Sequence, residues 1–166
     1  MILIKEHIGG LIKSKLIEDG RSVKWLANKI HCKRRNIYDI FIRTSIDAAQ
    51  LLRISLALRI NFFLYFCEIY ETKIEDVESN TLISVQEGTC IGDLVRSKLK
   101  DYGRSVKWLA EKIHCKRSNI YNIFNNRASI DTALLLKVSL ALKMNFFEYY
   151  CIMYKNAILT ATDHEG

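Results

Sequence analysis

Along residues 91–103, IGDLVRSKLKDYG, apolar side chains fall at Ile91, Leu94, Val95, Leu99 and Tyr102, with polar residues between them. Steps of three and four put these on one side of a helix. Gly103 follows as a natural C-cap. Ser105 then offers an N-cap for a second helix over 106–113, with Val106, Leu109, Ala110 and Ile113 as its inward face. His114, Cys115 and Lys116 break the pattern. A third short helix follows over SNIYNIF, residues 118–124, facing inward with Ile120, Ile123 and Phe124. The run ASIDTALLLKVSLALKM predicts a fourth helix, with Ser129 as N-cap and Asp131 in the first turn, where a negative charge is favourable. The fifth, NFFEYYCIMY, turns Phe146, Phe147, Tyr150 and Met153 toward the rest.

The same five-element order occupies residues 8–70, because the chain is a duplication. GRSVKWLA stands at 20–27 and again at 103–110. Residues 8–43 align with 91–126 at an offset of 83, and 45–70 align with 129–154 at an offset of 84, with 41 identities in 62 pairs. The one-residue slip falls at Thr44, between periodic segments, where a loop absorbs it. The expected fold is therefore all-α: two tandem five-helix domains, at 1–70 and 90–154, with a linker at 71–89 and a tail at 155–166 that frays at ATDHEG. Domains of about 63 residues fold alone when they are helical and well packed.

Charge follows the duplication. The chain carries +7, and residues 7–70 and 90–154 each hold eleven basic and five acidic side chains. The segment between them, ETKIEDVESNTLISVQEGT, has one lysine and five acids. Two positive units suggest a polyanionic partner such as nucleic acid. The linker's 19 residues would reach about 60 Å extended, or roughly 25 Å as a flexible coil. Within it TLISV, residues 81–85, is apolar enough to pack or to form a short strand.

The five cysteines are Cys32, Cys67, Cys90, Cys115 and Cys151; an odd count with no secretory signal points to reduced thiols in a cytoplasmic protein. No apolar run approaches the ~20 residues of a membrane span. His31-Cys32 and His114-Cys115 recur, but adjacent residues are poor partners for one ion, so neither a metal site nor a cofactor is expected. No phosphate-binding glycine loop, carboxylate pair or nucleophile–base constellation suggests an enzyme, and no small-molecule site is evident.

The second and third helices of each repeat are joined by three or four residues, the spacing of a helix-turn-helix. Ala27 and Ala110 are small where two such helices meet, and Ile30, Cys32, Ile37 and Ile40 form the wedge, repeated as Ile113, Cys115, Ile120 and Ile123. The stretch SVKWLAEKIHCKRSNIYNIF, residues 105–124, resembles the helix-turn-helix of lambda-repressor-like regulators, the XRE family. The longer pattern GRSVKWLA…HCKRSNIY…SIDTALLLKVSLAL…NFF is similar to small DNA-binding proteins of Bacteroides-like bacteria. The resemblance covers 8–70 and 91–154. It departs from the family at His31 and His114, which stand where the family usually has a turn glycine.

That resemblance implies recognition helices near 34–41 and 117–124 that enter successive major grooves of double-stranded DNA. It implies base contacts from Arg34, Arg35, Asn36 and Tyr38, and from Arg117, Ser118, Asn119 and Tyr121. Phosphate contacts would come from Ser22, Lys24 and Lys33, and from Ser105, Lys107 and Lys116, beside the helix-two N-terminus. The repeats differ in the reading helix: Arg35 pairs with Ser118, Asp39 with Asn122, Ile42 with Asn125 and Arg43 with Asn126. Either the two heads read different half-sites, or repeat one has drifted toward shape-based binding or packing.

The implied function is a sequence-specific, nucleoid-associated transcriptional regulator. The alternative is a protein-interaction or accessory factor, of phage or toxin–antitoxin type, on the same scaffold. Intramolecular pairing of the repeats or a homodimer would both supply paired heads. Phe66, Ile69 and Tyr70, with Tyr150, Met153 and Tyr154, are candidates for that contact and equally for each domain's own core.

Overall fold

The computed structural model describes residues 6–74, 85–125 and 130–163. Among these the protein is all-helical, with ten helices and no strand: α1 (Ile8–Glu18), α2 (Val23–Lys29), α3 (Arg34–Phe41), α4 (Ala48–Leu58), α5 (Phe63–Lys73), α6 (Ile91–Asp101), α7 (Val106–Lys112), α8 (Arg117–Asn125), α9 (Thr132–Leu142) and α10 (Phe147–Asp163). The second five repeat the first in order and in nearly all their boundaries.

Local chemistry sets those boundaries. Ser22 and Ser105 cap α2 and α7, each Oγ accepting from the backbone N–H of Trp25 or Trp108 at 3.0 and 3.1 Å. Asp47 and Asp131 cap α4 and α9, accepting from Gln50 and Ala133. Asp131 is thus the cap itself and not a first-turn residue, because its backbone is still extended (φ −66°, ψ 138°); Ser129 lies outside the described residues. The buried Ser55 and Ser139 accept the N–H of Phe62 and Phe146, across turns in which Arg59 and Lys143 take left-handed backbone. These bonds fix where α5 and α10 start.

Within each half, α1 lies on α3 and α2 on α3, repeated as α6 on α8 and α7 on α8. The α1–α3 contact is close because glycine makes it possible. A Cβ on Gly9 would sit 2.2 Å from the Ile40 carbonyl oxygen, and one on Gly92 would sit 2.4 Å from that of Ile123. The backbones touch, so α1 sets the seat of α3.

The halves meet through α5 and α10, with α4 against α10 and α5 against α9. Phe63 stacks on Tyr150 (centroids 4.8 Å, 12° between planes), and Phe66 stacks on Phe147 (4.9 Å, 14°). Under the offset of 84, these two pairs are each other's image. Next to them the backbones exchange two hydrogen bonds, Ala48 N–H to Ile130 O (2.8 Å) and Thr132 N–H to Ile46 O (2.9 Å), around Asp47 and Asp131. Residue i of one half meets j of the other, and j meets i, which is the signature of a two-fold relation. The buried side chains of both halves form one continuous cluster.

Several sequence expectations change here. Residues 71–73 belong to α5 and not to a linker, and residues 155–163 of the expected tail are the last turns of α10, including 161–163 of the stretch expected to fray. Ala157 and Ile158 are half-buried there, and nothing between Lys155 and Asp163 breaks a helix. Met153 and Tyr102 are only partly covered, at 37 % and 39 % exposure, while Tyr149 takes a buried place. Tyr149 Oη donates to the Thr89 carbonyl at 3.1 Å, as Tyr65 donates to Glu6 at 3.0 Å. Of TLISV only Val85 is described; it packs half-buried against the core and is not in a strand.

Gly92→Ala tests the close approach of α6 and α8. Forcing a methyl against the Ile123 carbonyl should destabilise the fold by about 1–3 kcal/mol, read as a lower urea midpoint with an unchanged slope. An unchanged midpoint would mean that the two backbones are not in contact.

Candidate nucleic-acid interface

The third helix of each half is divided lengthwise by its sequence. In α3, Ile37, Ile40 and Phe41 are buried, and Arg34, Arg35, Asn36, Tyr38 and Asp39 are exposed. In α8, Ile120, Ile123 and Phe124 are buried, and Arg117, Ser118, Asn119, Tyr121 and Asn122 are exposed. Every residue expected to reach a base edge is therefore on the surface, on the side of its helix away from the core. Tyr38 and Tyr121 are 58 % and 51 % exposed, large values for tyrosine. Each is steadied by an edge-on contact with the phenylalanine three residues later, Phe41 at 6.0 Å and Phe124 at 6.2 Å. Both rings are held by these contacts.

The expected phosphate-binding residues Ser22, Lys24, Lys33, Ser105, Lys107 and Lys116 are likewise exposed. Ser22 and Ser105 already accept a backbone N–H as caps, which leaves each hydroxyl's proton for an outside acceptor. Lys33 is the N-cap of α3 but makes no side-chain cap bond. Lys107 lies 4.0 Å from Glu111 one turn on, an exposed pair of little strength that an incoming phosphate would compete with.

The turn between the two short helices takes a left-handed residue in both halves, His31 at φ 56° and His114 at φ 55°. The backbone is the one that glycine would adopt most cheaply, although histidine occupies it. Cys32 and Cys115 follow, their N–H groups donating to Ala27 O and Ala110 O at 2.9 Å. Both thiols are half-buried beside the core, and burial raises their pKa. Among the described residues no group of three or more His, Cys, Asp or Glu side chains could hold a metal ion.

The structure adds cations that sequence reading missed. Arg21 lies over Trp25 at 4.7 Å and Arg104 over Trp108 at 5.0 Å, each just ahead of its helix. The spacing of four in RSVKW is the pattern that could have revealed this contact. Arg53 of α4 and Arg59 just after it join Arg21, Lys29 and His31 around an open cleft of about 690 Å³. The equivalent place in the other half, lined by Lys112, His114 and Lys137, is smaller at about 290 Å³.

No protein-family model, curated protein or solved structure matches this chain. Site geometry and sequence pattern therefore carry the functional reading. Among the described residues, no helix is long and apolar enough to cross a membrane.

The histidine turn gives a direct test. His114→Gly should change stability by less than about 1 kcal/mol, since relief of left-handed strain is offset by the extra freedom of the unfolded chain. His114→Val should cost about 1–2 kcal/mol or more, because a branched side chain suits that backbone worst. Equal melting temperatures for the two variants would contradict the left-handed turn.

Proposed function

We propose that this protein is a sequence-specific duplex DNA-binding regulator built from two lambda-repressor-like five-helix units. In this reading α2–α3 and α7–α8 are helix-turn-helix pairs, and α3 and α8 are the recognition helices. One observation carries the reading. Two copies of a short helix expose an Arg–(Arg/Ser)–Asn–x–Tyr face, opposite a fully apolar face, in halves related by two-fold-like contacts. An arginine can pair with guanine and an asparagine with adenine through two hydrogen bonds each, and the major groove accepts a helix. Two heads in one chain match the way such proteins usually bind, with helices in successive grooves. The cations at Lys24, Lys33, Lys107 and Lys116, with Arg21 and Arg104, supply the phosphate contacts that set register.

The heads would not read the same bases. Arg35 faces solvent where Ser118 does in the other half, and Asp39 where Asn122 does. The preferred site is therefore bipartite and non-palindromic. A second reading, an accessory factor that binds protein, is favoured by one feature: Ile42, directly after α3, is 78 % exposed, where the other half has Asn125.

Selection from a pool of duplex DNA at several salt concentrations tests the proposal. It should enrich a two-part motif, with a log–log salt slope of roughly −5 to −9 for six to ten phosphates. Arg117→Ala and Asn119→Ala should each weaken binding by about 1–3 kcal/mol and relax one half-site only. Arg35→Ser should change the other half alone. No enrichment and a flat salt response would overturn the DNA reading and favour the protein-binding one.

A further inference from the structure

Two of the five cysteines sit against each other across the contact between the halves. Cys67 on α5 and Cys151 on α10 have their sulfurs 3.9 Å apart. They are equivalent positions of the duplication, so the two-fold relation passes between them. Each is half-buried, so neither is sealed from solvent. Sulfurs at that distance come within bonding range, about 2.05 Å, by side-chain rotation with small adjustments. Cys32, Cys90 and Cys115 have no such partner.

The surroundings of the pair are not symmetric. The two thiols share one hydrogen bond in which either sulfur can donate, and Asn61 and its equivalent Asn145 favour the thiolates of Cys151 and Cys67 in turn, but the charge of Lys155 favours the thiolate of Cys151 alone. Burial and Glu148 oppose the Cys151 thiolate, and the balance brings Cys151 down to about 7. Cys67 is pushed the other way: the contact with Cys151, burial and Glu148 raise its pKa, and only Asn145 lowers it. Position 71, which matches Lys155, is Glu71, so only one side of the pair has the cation.

We propose that Cys67 and Cys151 form a peroxide-sensitive dithiol whose oxidation staples the two halves together at their shared axis. The Cys151 thiolate attacks one oxygen of a hydroperoxide. An S–O bond forms, the O–O bond breaks, and the departing oxygen takes up a proton as water or an alcohol. The peroxide is reduced and Cys151 becomes a sulfenic acid. The Cys67 sulfur then loses its proton and attacks the Cys151 sulfur. The S–S bond forms and the S–O oxygen leaves as water. Two thiols and one hydroperoxide give one disulfide, one alcohol or water, and one further water. The bond closes a loop between residues 84 apart in sequence, within the chain and not between chains.

The test is treatment of the full reduced chain with hydrogen peroxide, followed by alkylation and peptide mass mapping under non-reducing conditions. The expected product is a Cys67-peptide joined to a Cys151-peptide in a chain that stays monomeric, with a thermal midpoint higher by on the order of 10 °C. Its rate of formation should rise with pH through about 7, the range set for Cys151. Cys67→Ser and Cys151→Ser should each lose the midpoint shift, and Cys90→Ser should keep it. In Cys67→Ser, Cys151 should still be captured as sulfenic acid by a dimedone-type probe. Oxidation that joins other cysteines, links separate chains, or consumes Cys151 without joining it to Cys67 would overturn the proposal.

Discussion

The two aromatic stacks between α5 and α10 govern the rest of the structure, since without them each half keeps a core of only about 63 residues. A domain of that size can fold alone, but with a narrow margin of stability. Joining the halves lets Phe63, Phe147, Phe66 and Tyr150 be buried together, and stacked rings contribute about 0.5–1.5 kcal/mol per pair beyond the area they bury. The two backbone hydrogen bonds at Asp47 and Asp131 set the rotation of one half on the other. Stacking resists separation, and the bonds resist sliding.

Duplication explains why so few residues achieve this. A self-complementary patch needs to arise once and is then used twice, as in a homodimer. Joining two copies in one chain also frees the copies to differ. Thr132, where the first half has Ala48, accepts the Ile46 N–H at 3.0 Å through its hydroxyl and strengthens the bridge from one side only. Tyr150, where the first half has Phe66, buries a hydroxyl with no hydrogen-bond partner among the described residues. Burial pushes that phenol well above its ordinary pKa, so the group is neutral. The exposed faces of α3 and α8 have diverged in the same way, at Arg35 and Ser118 and at Asp39 and Asn122. The scaffold is held constant by packing, while the solvent-facing positions are free to change.

Much of this was legible in the chain because helix stripes, serine caps and a repeat are local or self-referring patterns. The inward faces of α2, α3, α7 and α8 were readable from spacing, and the exposure of Arg117, Ser118, Asn119 and Tyr121 followed from the burial of Ile120 and Ile123. What was not legible depends on contacts between distant segments. Gly9 and Gly92 look like poor helix residues until α3 and α8 are seen against them. Met153 has the right spacing for the core but stays at its edge, 37 % exposed, because Tyr149 and Tyr150 already fill the cross-half contact. The continuation of α10 to Asp163 was hidden because the repeat offers no counterpart to compare. Arg21 over Trp25 follows a spacing of four that is visible in the sequence, but the same spacing also fits two unrelated surface residues.

Hydroxyl-radical footprinting at one chain per selected duplex is the sharpest test of the proposal that one chain presents two heads to one duplex. The account predicts two protected patches on the same face of the DNA, about one helical turn or 34 Å apart. A single patch, or no protection until a second chain is added, would contradict it.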